Sequence, residues 1–191
     1  MLAALDPRTG GAEAKKSAGA RAVEAANGGA VPKDVLALAR TPIAVDTMDE
    51  SSVEPGTKEG EQAVFKGNPT ECALLVFATD LGADWKALRA STDGRSEATV
   101  ARGHPFMFSS ARKVMSWAVP RAGGGYRVYV KGAAEIVLAR CARVLSPGSA
   151  TGLASVELDD ATKTSFYLDQ VVANFAAEAM RNIALAYKDV D

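Results

Sequence analysis

The stretch Asn68-Pro69-Thr70-Glu71 and the ten residues behind it constrain this 191-residue chain more than any other segment. Asn68 suits the cap of a helix, Pro69 its first position and Glu71 its third, a capping box with Asn in the cap. The run that follows, CALLVFATDL, is apolar nearly all round. A helix of that kind has no face to offer water and must be buried among other elements. Gly82 ends it, and Asp84 caps a second helix over WKALRAS. The chain is long enough for one domain with a real core.

The remaining elements can be set around that helix. Residues 1–30 are mostly Ala and Gly with few large apolar residues, which predicts a flexible leader. Val31-Pro32-Lys33-Asp34 opens a short helix; Pro42 follows it, and Ile43-Ala44-Val45 reads as a strand. Residues 46–61 form an acidic loop with Pro55-Gly56 as its turn, and Ala63-Val64-Phe65 is a short strand. After a polar loop at 91–98, His104–Phe108 and Lys113–Pro120 read as strands. Gly123–Gly125 is a hairpin tip, and Tyr126–Val130 alternates cleanly as its second arm. Lys131-Gly132 ends that strand and opens the helix AAEIVLARC, and residues 146–156 read as a loop. Asp159 or Asp160 caps a long helix to about Met180, with Leu168, Val171, Val172, Phe175 and Ala179 at core spacing, and Ile183–Tyr187 closes as a strand. The expected fold class is α+β, an antiparallel β-sheet flanked by helices.

Composition excludes several classes. Two cysteines and one histidine provide no disulfide framework, no spaced zinc ligands, and only one histidine for a catalytic triad. Cys72 and Cys141 read as small core residues, and His104 as structural or exposed. No apolar run is long enough to cross a bilayer, and the N-terminus lacks the pattern of a signal peptide. With a net charge of −1, nucleic acid is not an expected partner, and a monomer is expected. Charge is unevenly spread: residues 46–61 carry −5 and residues 62–145 carry +6. The basic segment is either a solvated face or a local anion site.

Four clusters carry chemical potential: Lys66–Glu71, Phe106–Lys113, Val130–Ala133, and Met180-Arg181 ahead of the last strand. Neither GxxxxGK[ST] nor GxGxxG occurs. A nucleotide can still be held by an aromatic wall for the base, worth about 1–3 kcal/mol when stacked, and by a few Lys or Arg for the phosphates.

GNPTECALL, PFMFSSARKVMS, YVKGAAEIVLARC and MRNIALAYKD occur in this order, and together they resemble the nucleotide-binding (N) domain of P-type cation ATPases. The wording is closest to the plasma-membrane-type calcium pumps. The resemblance covers about residues 31–191. It implies that Phe108 stacks on adenine, that Lys131 lines the base pocket, and that Glu71 faces the adenine or its amino group. It further implies that Lys113 lies near the phosphates and that Arg181 reaches ribose and phosphate. Thr70 is a weaker neighbour. Where the endoplasmic-reticulum pumps have an arginine two residues after the stacking Phe, this chain has Ser110, leaving phosphate contact to Lys113, Arg181 and Arg112. The implied ligand is ATP as Mg-ATP, with no metal ligand in the chain itself.

Each residue also has an ordinary reading. Glu71 completes a helix cap, Phe108 is a core aromatic with Phe106 as an alternative stacker, Lys131 is a solvated strand-end lysine, and Arg181 complements a helix C-terminus. If the chain is extended there, Arg112 and Lys113 face opposite ways and only one meets the ligand. The sequence contains none of DKTGT, TGE, TGD or GDGxxND. The resemblance therefore implies an ATP-binding fragment or truncated product of a P-type calcium-transporting ATPase, a cytosolic domain with no catalytic residue of its own. Its partners would be the phosphorylation and membrane domains of the parent pump. Two other readings stand beside it: a non-catalytic protein-interaction module using residues 46–61 and 1–30, and the N domain of a pump for another cation.

Overall fold

The computed structural model describes residues 33–54, 63–92, 103–121, 123–147 and 153–191. The leader at 1–30 and the Pro55-Gly56 turn lie outside the described residues. Helix α1 (Lys33–Val45) is followed by β1 (Ser52–Glu54), β2 (Val64–Lys66), α2 (Pro69–Asp80) and α3 (Trp85–Thr92). Then come β3 (His104–Ser109), β4 (Val114–Pro120), β5 (Tyr126–Ala133), α4 (Ala134–Arg140), β6 (Arg143–Pro147) and β7 (Leu153–Glu157). A last helical segment, α5, begins at Asp160–Thr162, runs as a π-helix through Lys163–Val172 and ends at Ala173–Ala177; β8 (Ile183–Val190) closes the chain. The main sheet is antiparallel throughout, in the order β3-β4-β5-β8, and two separate two-stranded antiparallel sheets are formed by β1-β2 and β6-β7. This is the α+β architecture expected from the pattern.

The apolar helix is α2, and it is buried as its sequence demands: Cys72, Leu74, Leu75, Phe77 and Ala78 are all inaccessible or nearly so. It packs on Ile43 of α1 and on Ile183 and Leu185 of β8, while Val45 joins Met115 and Trp117 of β4. Helices α1 and α2 therefore form a layer on one face of the sheet.

Several expectations are corrected. Ile43-Ala44-Val45 is not a strand; α1 runs through Pro42, which lies inside it. Proline removes one ladder hydrogen bond, but Ile43, Ala44 and Val45 are each 2% exposed or less, and the Asp46 N–H donates to the Pro42 carbonyl at 3.0 Å. Burial outweighs the local cost. The acidic segment is only partly a loop, because Ser52–Glu54 pairs with Val64–Lys66. Nor is its start solvated, since Asp46, Thr47 and Ser51 are buried. Residues 146–156 are not simply a loop: β6 and β7 pair there, with Arg143 Nε donating to Ser155 Oγ at 2.7 Å across the strands. Lys113 does not begin β4; it sits in the preceding turn with φ +54°. Strand β5 continues through Lys131 and Gly132 to Ala133.

The long helix is capped by Asp159, which accepts from the Thr162 N–H at 2.7 Å. Leu168, Val171, Val172 and Phe175 share its half-buried face, as their spacing predicts, though none is fully buried; Ala179, beyond the helix end, is exposed.

Candidate functional site

One line of backbone pairing gathers the chemistry. Ser109 pairs with Val114, Val114 with Gly132, and Gly132 with Ala184. That line crosses all four strands. Phe108, Lys113 and Lys131 each lie one residue from it, and Arg181 three. The sheet thus brings three of the four sequence clusters to one end, and α2 delivers the fourth.

Register explains why Lys131 is not a surface lysine. It pairs with Met115 on one side and Leu185 on the other. Directly opposed residues share a face, so Lys131 stands on the face covered by α1 and α2. It is 8% exposed, and its ammonium donates to Glu71 Oε1 at 2.7 Å and to the Asp46 carbonyl. A lone buried cation would be strongly disfavoured; the carboxylate and the carbonyl satisfy it.

Glu71 comes from the first turn of α2. Asn68 caps that helix, its Oδ1 accepting from the Thr70 N–H at 2.9 Å and the Glu71 N–H at 3.4 Å. The reciprocal half of the capping box is absent: Ser51 Oγ, not Glu71, accepts from the Asn68 N–H, at 3.2 Å. The Glu71 side chain turns inward instead. Besides Lys131, it accepts from the Met48 N–H at 2.9 Å and from Ser51 Oγ–H at 2.5 Å. Gly67, just before the cap, has φ +85°, and a Cβ there would lie 2.6 Å from the Glu50 carbonyl oxygen. Only glycine lets the 46–51 loop approach that closely.

Burial would raise the Glu71 carboxyl, but the Lys131 charge and the hydrogen bonds from Lys131, Ser51 and Met48 together hold it below its ordinary value. Asp46 differs. It is fully buried, and neither carboxylate oxygen has a hydrogen-bond partner. Burial pushes it up to about 7, against the pull of the Lys131 charge and with a further push from Glu71.

Of the other named residues Thr70 is partly buried and the rest are exposed. Arg181 reaches across from the start of β8, its Nη1 donating to Thr70 Oγ1 at 2.9 Å. Phe108 is 58% exposed at the end of β3, beside the register shift between Phe106 and Ser109. Phe106 is also exposed, packed edge-on to His104 with centroids 5.0 Å apart. The core reading of Phe108 is thereby excluded. Arg112 and Lys113 are not extended; both lie in the β3–β4 turn. Arg112 folds back to donate to the Met107 carbonyl, and the Lys113 carbonyl accepts from the Ala133 N–H at 3.1 Å.

The arrangement offers an uncovered aromatic ring, exposed cations at Lys113 and Arg181, and a buried ion pair beneath them. That suits an aromatic, anionic ligand. Among the described residues no group of three or more His, Cys, Asp or Glu side chains could hold a metal ion. None of their helices is long and apolar enough to cross a membrane. Asp46, Met48, Ser51 and Arg89 were not found from sequence. Their role depends on contacts with residues distant in sequence, and 46–61 reads from its composition only as an acidic loop.

The comparison with known proteins identifies the family. Residues 40–191 match the family described as P-type ATPase, cytoplasmic domain N, and the chain belongs to that family. Among curated relatives it is 37% identical over 160 residues to plasma membrane calcium-transporting ATPase 4 of Bos taurus, covering 83% of this chain and 12% of that protein. It is 36% identical over 162 residues to the Homo sapiens protein of the same name, covering 84% of this chain and 12% of that protein. It is 37% identical over 153 residues to plasma membrane calcium-transporting ATPase mca-1 of Caenorhabditis elegans, covering 78% of this chain and 11% of that protein. The chain thus spans about an eighth of the length of these relatives.

Proposed function

We propose that this chain is the ATP-binding domain of a P-type calcium-transporting ATPase, one that holds Mg-ATP for phosphorylation of an aspartate on another domain. The observation that carries the reading is the convergence of Lys131 on Glu71 and of Arg181 on Thr70, two adjacent residues of one helix start, at the sheet end that exposes Phe108. In this reading Phe108 stacks on the adenine. Glu71 and Lys131, already paired, form the polar floor of the base pocket. Lys113 and Arg181 meet the ribose and phosphates, with Thr70 orienting Arg181. Arg112, occupied by the Met107 carbonyl, is a reserve cation.

What supports the fit to a nucleotide is a ring with an open face on β3 and exposed cations at Lys113 and Arg181, all at the same end of the sheet. The magnesium ion would arrive on the triphosphate. The domain's task is positioning; the phosphoryl acceptor, the membrane helices and the transported ion belong to the rest of a pump. The phosphorylation and membrane domains are the proposed partners, and the cytosolic side of a membrane the proposed location. Residues 1–30 are proposed as a leader preceding the domain. Calorimetry with Mg-ATP tests the reading: the wild-type chain should bind and Phe108→Ala should bind more weakly. Equal affinity of the two would refute the stacking assignment.

A further inference from the structure

Glu71 and Lys131 come from different elements, and both lean on a third, the loop 46–51. Its backbone supplies the Asp46 carbonyl to Lys131 and the Met48 N–H to Glu71, and its Ser51 hydroxyl supplies the shortest contact to that carboxylate. One side chain from α3 ties the loop together along its length. Arg89 Nε donates to the Ala44 carbonyl at 3.2 Å and to Thr47 Oγ1 at 3.1 Å. Its Nη1 donates to the Ser51 carbonyl at 2.9 Å and its Nη2 to the Met48 carbonyl at 3.1 Å. One planar fork thus binds the end of α1, the middle of the loop and its far end. The guanidinium lies 4.7 Å from the centroid of Trp85, one turn earlier on α3, which holds the fork flat.

We propose that Arg89 is a positioning residue for the Glu71–Lys131 pair, acting through the 46–51 loop, and hence for nucleotide affinity at this corner. The final clause rests on the ATP reading above. Lysine cannot replace it, because a point charge on a flexible stem reproduces neither the fork nor the stacking. Residues 48 and 51 serve Arg89 through their carbonyls and Glu71 through their donors, so loosening one grip loosens the other.

The test uses Arg89→Lys and, because Thr47 is an isosteric target on the other side of the same contact, Thr47→Val. The Glu71 carboxyl is titrated by carbon-detected NMR, and Mg-ATP affinity is measured by calorimetry. In both variants the Glu71 midpoint should rise toward its ordinary value, and affinity should fall by roughly three- to tenfold, the lower range for residues sharing one hydrogen-bond network. Lys188→Met, at an exposed position of β8 paired with Val128, is the control and should move neither. If Arg89→Lys fails to fold, Thr47→Val carries the test alone. A folded variant with an unshifted Glu71 midpoint overturns the proposal. A shifted midpoint in a chain that binds no ATP supports the positioning role and refutes the nucleotide reading instead.

Discussion

Lys131 and Glu71, 60 residues apart in sequence, close a 2.7 Å ion pair under the start of α2 with less than a tenth of either side chain exposed. The pair joins the sheet to the helix layer at the end of the sheet that carries the exposed ring and cations. Because it is buried, each partner is held by the other, and the whole corner depends on both.

Removing one partner should therefore be costly. Glu71→Gln leaves the Lys131 ammonium without its carboxylate, and Lys131→Met leaves the carboxylate without its cation. Each should lower stability by about 3–5 kcal/mol, and the double variant should recover a large part of that loss. Urea unfolding of the four proteins measures it. Additive losses would show that the two groups do not act as a pair.

Asp46 gives stability a pH dependence of definite sign. Its carboxyl titrates near 3.8 when unfolded and at about 7 when folded. Between those values the folded chain binds the extra proton, so this contribution is fully present below about 3.8 and is lost as pH rises through about 7. Glu71 acts oppositely: its lowered value contributes stability above its ordinary 4.5, lost as pH falls through the folded value. Stability should thus decline from pH 5 to 8 in the wild type, and Asp46→Asn should flatten that decline while keeping the acid limb. An unchanged slope in the variant contradicts the assignment.

Gly132 is predicted to tolerate no side chain. A Cβ there would lie 2.4 Å from the Lys113 carbonyl oxygen and 2.6 Å from Val114 Cγ1. The backbone atom cannot yield without moving the turn that carries Lys113. Gly132→Ala should cost about 1–3 kcal/mol, the usual scale of overpacking, and should weaken Mg-ATP binding through Lys113. A melting temperature equal to wild type would show that the turn yields freely.

Phe108→Ala should separate binding from folding. The ring is 58% exposed, so stability should change little, by about 0.5 kcal/mol or less. Loss of a stacked base should cost about 1–3 kcal/mol of affinity. Thermal melts and calorimetry on one preparation check both parts. A large loss of stability would return Phe108 to a structural role.

Much of this was legible in the sequence because it rests on local rules. The cap at Asn68, the buried helix behind it, the hairpin across Gly123–Gly125 and the α+β class all follow from spacing and turn chemistry. What was hidden depends on tertiary contact. Pro42 looked like a helix stop because nothing local shows that Ile43, Ala44 and Val45 are buried. Glu71 looked like a capping partner because Ser51, twenty residues earlier, is not visible as its replacement. The apolar spacing of Lys163–Val172 marks a helix and its inner face but does not tell a π-helix from an α-helix. The four site clusters were visible as motifs, but the register through Ser109, Val114, Gly132 and Ala184 that aligns three of them had to be seen.

The central claim is that one corner of this domain binds ATP, and an amide titration of the ¹⁵N-labelled chain with Mg-ATP tests it most directly. Saturable shifts should cluster at Thr70, Glu71, Phe108, Lys113, Lys131 and Arg181 and leave the β6-β7 hairpin unmoved. A well-dispersed spectrum that does not respond to Mg-ATP, or that responds only away from this corner, would contradict it.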